Sequence, residues 1–174
     1  MRLPVLIERI KVMSNKVKIV KKFMASNPLD IEALFEELGI GYEKTYTLDT
    51  HISGEIERKS ENSFVIRTNA RHSDERQRFT AAHELGHYML HRLLLGTGVD
   101  DNKAYRSDLN NGNFKNSNIK TKHETEANRF AAVVLMPSDR VREEFAKESD
   151  PRKLAREFGV SITAMEIRIR SLGL

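Results

Sequence analysis

The chain contains no cysteine and no tryptophan, and only four prolines and four tyrosines in 174 residues. Without cysteine there is no disulfide, no thiolate metal ligand and no cysteine nucleophile. Any bound metal must then be held by nitrogen and oxygen donors. The aromatic residues are too few for a broad stacking platform. No apolar run approaches the roughly 18 residues that suggest a membrane-spanning helix. The N-terminal MRLPVLIERIKVMSNK begins with a cation, but Glu8, Arg9 and Lys11 interrupt its apolar stretch. No small-residue cleavage site follows, so no signal peptide is expected. Together these absences point to a reducing, cytoplasmic setting with no membrane partner.

What is present suits one domain of ordinary size with a small appendage. The composition is 39% hydrophobic and 31% charged, enough for a core beneath a soluble surface. Net charge is +4, and it is uneven. Residues 1–22 carry Arg2, Arg9, Lys11, Lys16, Lys18, Lys21 and Lys22 against Glu8 alone. Such a face suits an acidic partner or nucleic acid. A solvated helix face is the simpler reading and is preferred.

Apolar spacing predicts a helix over Val5–Met24. NPLD at 27–30 stops it and starts a second, with Pro28 in the first turn and Gly39 and Gly41 beyond the end. Residues 42–68 read as three strands, YEKTYTLDT, HISGEIER and SFVIRTN, forming a small, mainly antiparallel sheet. Ser73 is a suitable N-cap for a long helix ending near Leu95, with Asp74 and Glu75 in its first turn. The segment 96–121, rich in Asn, Asp, Ser and Gly, reads as a loop or lid. HETEANRFAAVVLMP begins another helix, closed by Pro137. A helix capped by Ser138 and two short helices broken at Gly159–Ser161 follow. The fold class expected is α+β, with residues 1–148 as the main domain and 149–174 as a helical tail.

The chemistry concentrates in TAAHELGHYMLHR, residues 80–92. His83 and His87 stand four apart, so on a helix both imidazoles share a face and can meet one ion. Glu84 projects about 100° further round the axis, where it can take a proton from a water beside that ion. This is the spacing a metallohydrolase uses. Gly86 costs about 1 kcal/mol of helix stability, which a close packing neighbour would explain.

A third ligand is needed. His91 continues the series, but two turns carry it about 12 Å along the axis from His83. Local packing or hydrogen bonding at the helix end is the preferred reading for His91. His123 is possible. The better source is HETEANRF, where Glu124 and Asn128 share a face: Glu124 as ligand, Asn128 hydrogen-bonding a ligand histidine, and Glu126 as the fallback ligand.

RQRFTAAHELGHYMLH followed by ETEANRFAAVVLMP resembles the paired helices of the ImmA/IrrE family of zinc metallopeptidases. The strand SFVIRTN and the opening DIEALFEELGIGYE share the likeness, which covers roughly residues 28–140. It implies a minimal zincin-like domain, with a strand at the sheet edge aligning the substrate. It also implies zinc (Zn2+) held by His83, His87 and Glu124, with Glu84 as general base. Members are bacterial or phage-borne, and the best understood cleave a helix-turn-helix repressor, while others are paired with antitoxin-like regulators. The resemblance thus implies a narrow endopeptidase acting on a repressor encoded nearby. The long 96–121 segment departs from the simplest version of the family. No oxyanion stabiliser stands out: Tyr105, His123 and Arg129 are candidates, and Tyr88 falls on the helix side away from His87.

LAREFGVSITAMEIRIRSLGL has the rhythm of a helix-turn-helix. A DNA reader usually has a third supporting helix and polar residues opening its recognition helix. Here the latter are Thr163 and Glu166. Packing on the main domain, or docking the regulator to be cut, is therefore preferred to DNA binding through 150–174. The alternative function is a DNA-binding or toxin-like regulatory module whose metal site is structural or vestigial.

Overall fold

A computed structural model describes the backbone of residues 3–95, 103–107 and 119–174 and the side chains of 13–95 and 119–174. The first helices are α1 (Leu3–Phe23) and α2 (Ile31–Leu38), followed by strands β1 (Gly41–Thr45), β2 (Ile52–Arg58) and β3 (Phe64–Asn69). Helix α3 (Asp74–Leu90) runs into a 3-10 turn at Arg92–Leu94. Strand β4 (Lys103–Ser107) precedes α4 (Thr121–Leu135), α5 (Ser138–Lys147), α6 (Pro151–Phe158) and α7 (Ile162–Ser171). The class is α+β, as the spacing of apolar residues indicated. No helix among the described residues is long and apolar enough to cross a membrane.

The sheet has strand order β1-β3-β2-β4. β1 runs parallel to β3, and both of β2's pairings are antiparallel. The three strands read from 42–68 are all present. The fourth corrects the reading of 96–121 as loop throughout: Lys103–Ser107 pairs with β2, opposite Glu57 to Ile52. Five residues flanked by Asn, Asp and Gly are too short to stand out as a strand until a neighbour supplies the hydrogen-bond ladder. The rest of 96–118 lies outside the described residues.

Two start signals also differ from expectation. Pro28, expected in the first turn of α2, lies ahead of the helix, and Asp30 sits at the cap, where its side chain accepts from the Ala33 N–H. Pro137 occupies the cap of α5, and Ser138 Oγ instead accepts from Arg168. Ser73 caps α3 as read, accepting from the Arg76 N–H.

Helix α3 is the centre of the packing. One sheet face meets it: Ile56 and Ile66 are fully buried, and Phe64 lies edge-on to Tyr88 with ring centroids 5.0 Å apart. The approach is close because Gly54 has no side chain. A Cβ there would stand 2.5 Å from Thr80 Cγ2 and 2.6 Å from the Arg67 carbonyl oxygen. On the opposite sheet face Arg67 pairs with Glu55 at 2.6 Å and Glu57 at 2.8 Å, which accounts for two buried carboxylates. The phenol of Tyr88 hydrogen-bonds Lys16 of α1, so one cation of the basic N-terminal segment is taken up inside the fold. Lys22 pairs with Glu37 at 2.7 Å, while Lys18 and Lys21 are solvated.

The tail packs against the body. Leu154, Phe158 and Met165 are fully buried in the same core cluster as Leu85 and Ile66. Arg78 of α3 donates to the carbonyls of Gly159 and Leu29, at 3.0 and 2.8 Å. Arg168 donates to the Met136 carbonyl at 2.9 Å. Gly159 ends α6 with φ 63°, a left-handed conformation that glycine adopts without a Cβ penalty.

Gly54→Ala will lower stability by about 1–3 kcal/mol, because the added methyl overpacks backbone as well as side chain. Denaturant unfolding against the native chain measures this; equal midpoints would show that β2 and α3 can part at no cost.

Candidate metal centre

His83 and His87 lie one turn apart on α3, and each is 1% exposed. Helix α4 crosses α3 at Gly86. A Cβ at that glycine would stand 3.0 Å from Ala127 Cα and 3.2 Å from the Ala127 carbonyl oxygen. The missing side chain lets the two backbones approach, which is the close neighbour the glycine called for. Glu124 precedes Ala127 by one turn, so this crossing carries its carboxylate to the two rings.

Two ring nitrogens and the two oxygens of one carboxylate then face one another. His83 Nε2 and His87 Nε2 are 3.1 Å apart. Glu124 Oε2 is 3.2 Å from His83 Nε2, and Oε1 is 3.4 Å from His87 Nε2. Bonds of roughly 2.0–2.1 Å to a tetrahedral ion put neighbouring donors about 3.3 Å apart. The two Nε2 atoms stand near that separation, and each ring has one of the two Glu124 oxygens at a similar distance. Among the described residues this trio is the group able to hold a metal. The outer ring nitrogens support the same reading. His83 Nδ1 lies 3.0 Å from Asn128 Oδ1. An amide oxygen only accepts, so His83 Nδ1 carries the hydrogen and Nε2 presents its lone pair to the shared point.

Electrostatics place the ligands in their binding forms. Burial pushes the His87 imidazole below its ordinary value, against the opposing hydrogen bond from Glu124, so the ring is neutral near pH 7. Burial would raise the Glu124 carboxyl, but the His83 and His87 rings beside it outweigh that and hold the group well below the usual carboxylate range; a proton held between ring and carboxylate is one that a cation would displace. Two imidazoles and a carboxylate are the donor set of a catalytic zinc site. The residues present therefore fit the metal. Glu84, beside His83, is fully buried.

Other residues singled out in the sequence fall elsewhere. Glu126 does not approach the trio; its Oε2 lies 2.8 Å from His91 Nε2. His91 lies outside the trio and hydrogen-bonds locally at the helix end, as expected, with its Nδ1 3.1 Å from His87 Nδ1. His123 Nδ1 accepts from the Lys120 N–H and so helps cap α4. Its ring rests near His91, centroids 4.8 Å apart. Arg129 is exposed, and Tyr88 points to Lys16 and Phe64. Tyr105 pairs with Glu55 through its backbone, and its side chain lies outside the described residues. The His91–Glu126 pair was missed in the sequence. The i, i+4 spacing signalled only the contact of His91 with His87; Glu126 comes from another helix, and nothing local signalled it.

Residues 28–170 match the model of a peptidase family described as the IrrE N-terminal-like domain. The chain belongs to that family. The match runs beyond the two metal helices and takes in most of the tail, so α6 and α7 are part of the IrrE-like domain as the family model defines it. A search of curated proteins found no match to the chain.

In this IrrE-like domain, a divalent ion such as zinc held at the trio is expected to bind about 10–100-fold more weakly in Asn128→Ala, which releases the His83 ring. Glu124→Ala removes a ligand and will cost more. Calorimetric titration of zinc into chelator-stripped protein ranks the two, and the reverse order would move the third ligand away from Glu124.

Proposed function

We propose that this chain is a zinc-dependent endopeptidase of narrow specificity. The substrate we infer is a helix-turn-helix repressor or antitoxin-like partner encoded nearby, met in the cytoplasm. One observation carries the reading: the Nε2 atoms of His83 and His87 and the carboxylate of Glu124 face one another on the paired helices of a peptidase family. Two imidazoles and a carboxylate suit zinc among the common divalent ions. When bound, zinc supplies a Lewis acid that polarises the scissile carbonyl and acidifies water.

The chain's own residues do the rest. His83, His87 and Glu124 hold the ion from rigid helices, and Asn128 keeps the His83 ring turned correctly. Glu84 takes the proton of the attacking water and passes it to the leaving amine, cleaving the peptide bond into a carboxylate and an amine. Its complete burial keeps bulk water from competing for that proton.

The regulatory-module alternative draws less support. The exposed side of α7 carries Thr163, Glu166, Ile167 and Arg170, one cation against one carboxylate. Arg168 is turned inward to Met136 and Ser138. The α7 face has no excess of positive charge for phosphate contacts, and the cations of the tail, Arg152, Lys153 and Arg156, lie on α6 instead.

Glu84→Gln will lower cleavage by about 10²–10⁴-fold while zinc stoichiometry stays at the native level. The assay is a purified repressor from the neighbouring reading frame, incubated with zinc-loaded protein and read by mass spectrometry for a single cut. Undiminished cleavage by the variant would end Glu84's role as base. Zinc-independent, salt-sensitive DNA binding without cleavage would favour the regulatory module.

A further inference from the structure

We propose that His91 and Glu126 form an outer relay that orients His87 as a metal ligand and locks its tautomer. The inference rests on the reading of His83, His87 and Glu124 as the metal site. The relay is a continuous line of contacts: His87 Nδ1 to His91 Nδ1 at 3.1 Å, and His91 Nε2 to Glu126 Oε2 at 2.8 Å.

Donor and acceptor parity decides the hydrogens along it. An ionised carboxylate only accepts, so His91 Nε2 carries the hydrogen that it donates to Glu126. With that one hydrogen on its ring, His91 has a bare Nδ1, which can only accept. His87 must therefore donate from its own Nδ1, and that leaves His87 Nε2 with a lone pair aimed at the point it shares with His83 Nε2 and Glu124. A carboxylate on the surface of α4 thus selects the binding tautomer of a buried ligand two rings away. Metal-bound histidines generally gain orientation and basicity from a hydrogen-bonded partner on the outer nitrogen.

The backbone is arranged for this. Regular α3 ends at Leu90, yet the His91 N–H still donates to the His87 carbonyl at 2.8 Å, keeping the rings in i, i+4 relation. His91 is 5% exposed and held between His87 and the ring of His123. Helix α4 consequently serves the site three times. Glu124 is the ligand, Asn128 sets the outer nitrogen of His83, and Glu126 sets that of His87 through His91.

The test is zinc affinity, measured by competition with a chelating dye on the native chain and on variants. Glu126 is half exposed, so Glu126→Gln will fold. Glu126→Gln and His91→Phe are expected to weaken zinc binding about 10–100-fold. His91→Asn places an amide oxygen where Nδ1 stood and should lie closer to native than His91→Phe. In the His91→Phe background, Glu126→Gln should cost nothing further, because the line is already cut. Affinities within twofold of native in every variant would overturn the relay. So would equal losses in His91→Phe and His91→Asn, which would mean that His91 only fills space. Loss of a second zinc equivalent in Glu126→Gln would overturn it too, by making these residues a separate metal site. If the native chain binds no zinc, the metal-centre reading fails first and the relay falls with it.

Discussion

The crossing of α3 over α4 at Gly86 and Ala127 is the constraint on which the site depends. Two helices carrying ordinary side chains pack with their axes roughly 8–10 Å apart. Removing one Cβ at the contact lets the backbones come nearer, and Glu124, one turn before Ala127, is carried into reach of both rings. Glycine inside a helix is unfavourable by about 1 kcal/mol relative to alanine. That cost is accepted here because the donor separations cannot be met at a wider spacing. On its other side α3 is braced by the sheet through Gly54 and Thr80 and through Phe64 and Tyr88. The two histidines thus stand on a helix held from both flanks.

Burial does the electrostatic work. A histidine pair in water would be partly protonated and turned either way. Within the core, His87 is neutral and its outer nitrogen is engaged, as is that of His83. The Glu124 carboxyl is held below the usual range despite burial by the two rings beside it. The ligands therefore need little reorganisation to accept a cation, which is what preorganisation means for a metal site.

Much of this was legible in the residues. Period-3.6 spacing located the helices that carry the site, and Ser73 marked the start of α3. The i, i+4 relation put His83, His87 and later Asn128 on usable faces. Three features were not legible. Strand β4 needed the open edge of β2 to become a strand. Asp30 displaced Pro28 as the landmark of α2, because a capping side chain satisfies an N–H that proline cannot. Glu126 was a plausible ligand on local grounds, and only its partner, His91, reassigned it.

The sequence by itself determined the types of donor available, the helices that bear them and the spacing of the two imidazoles, since all of these follow from bonds and periodicity within a few residues. Tertiary structure decided between Glu124 and its fallback Glu126, and it set His91 against the outer nitrogen of His87. Those choices turn on a helix crossing set by many weak contacts summed across the core, and no single stretch of the chain encodes that sum.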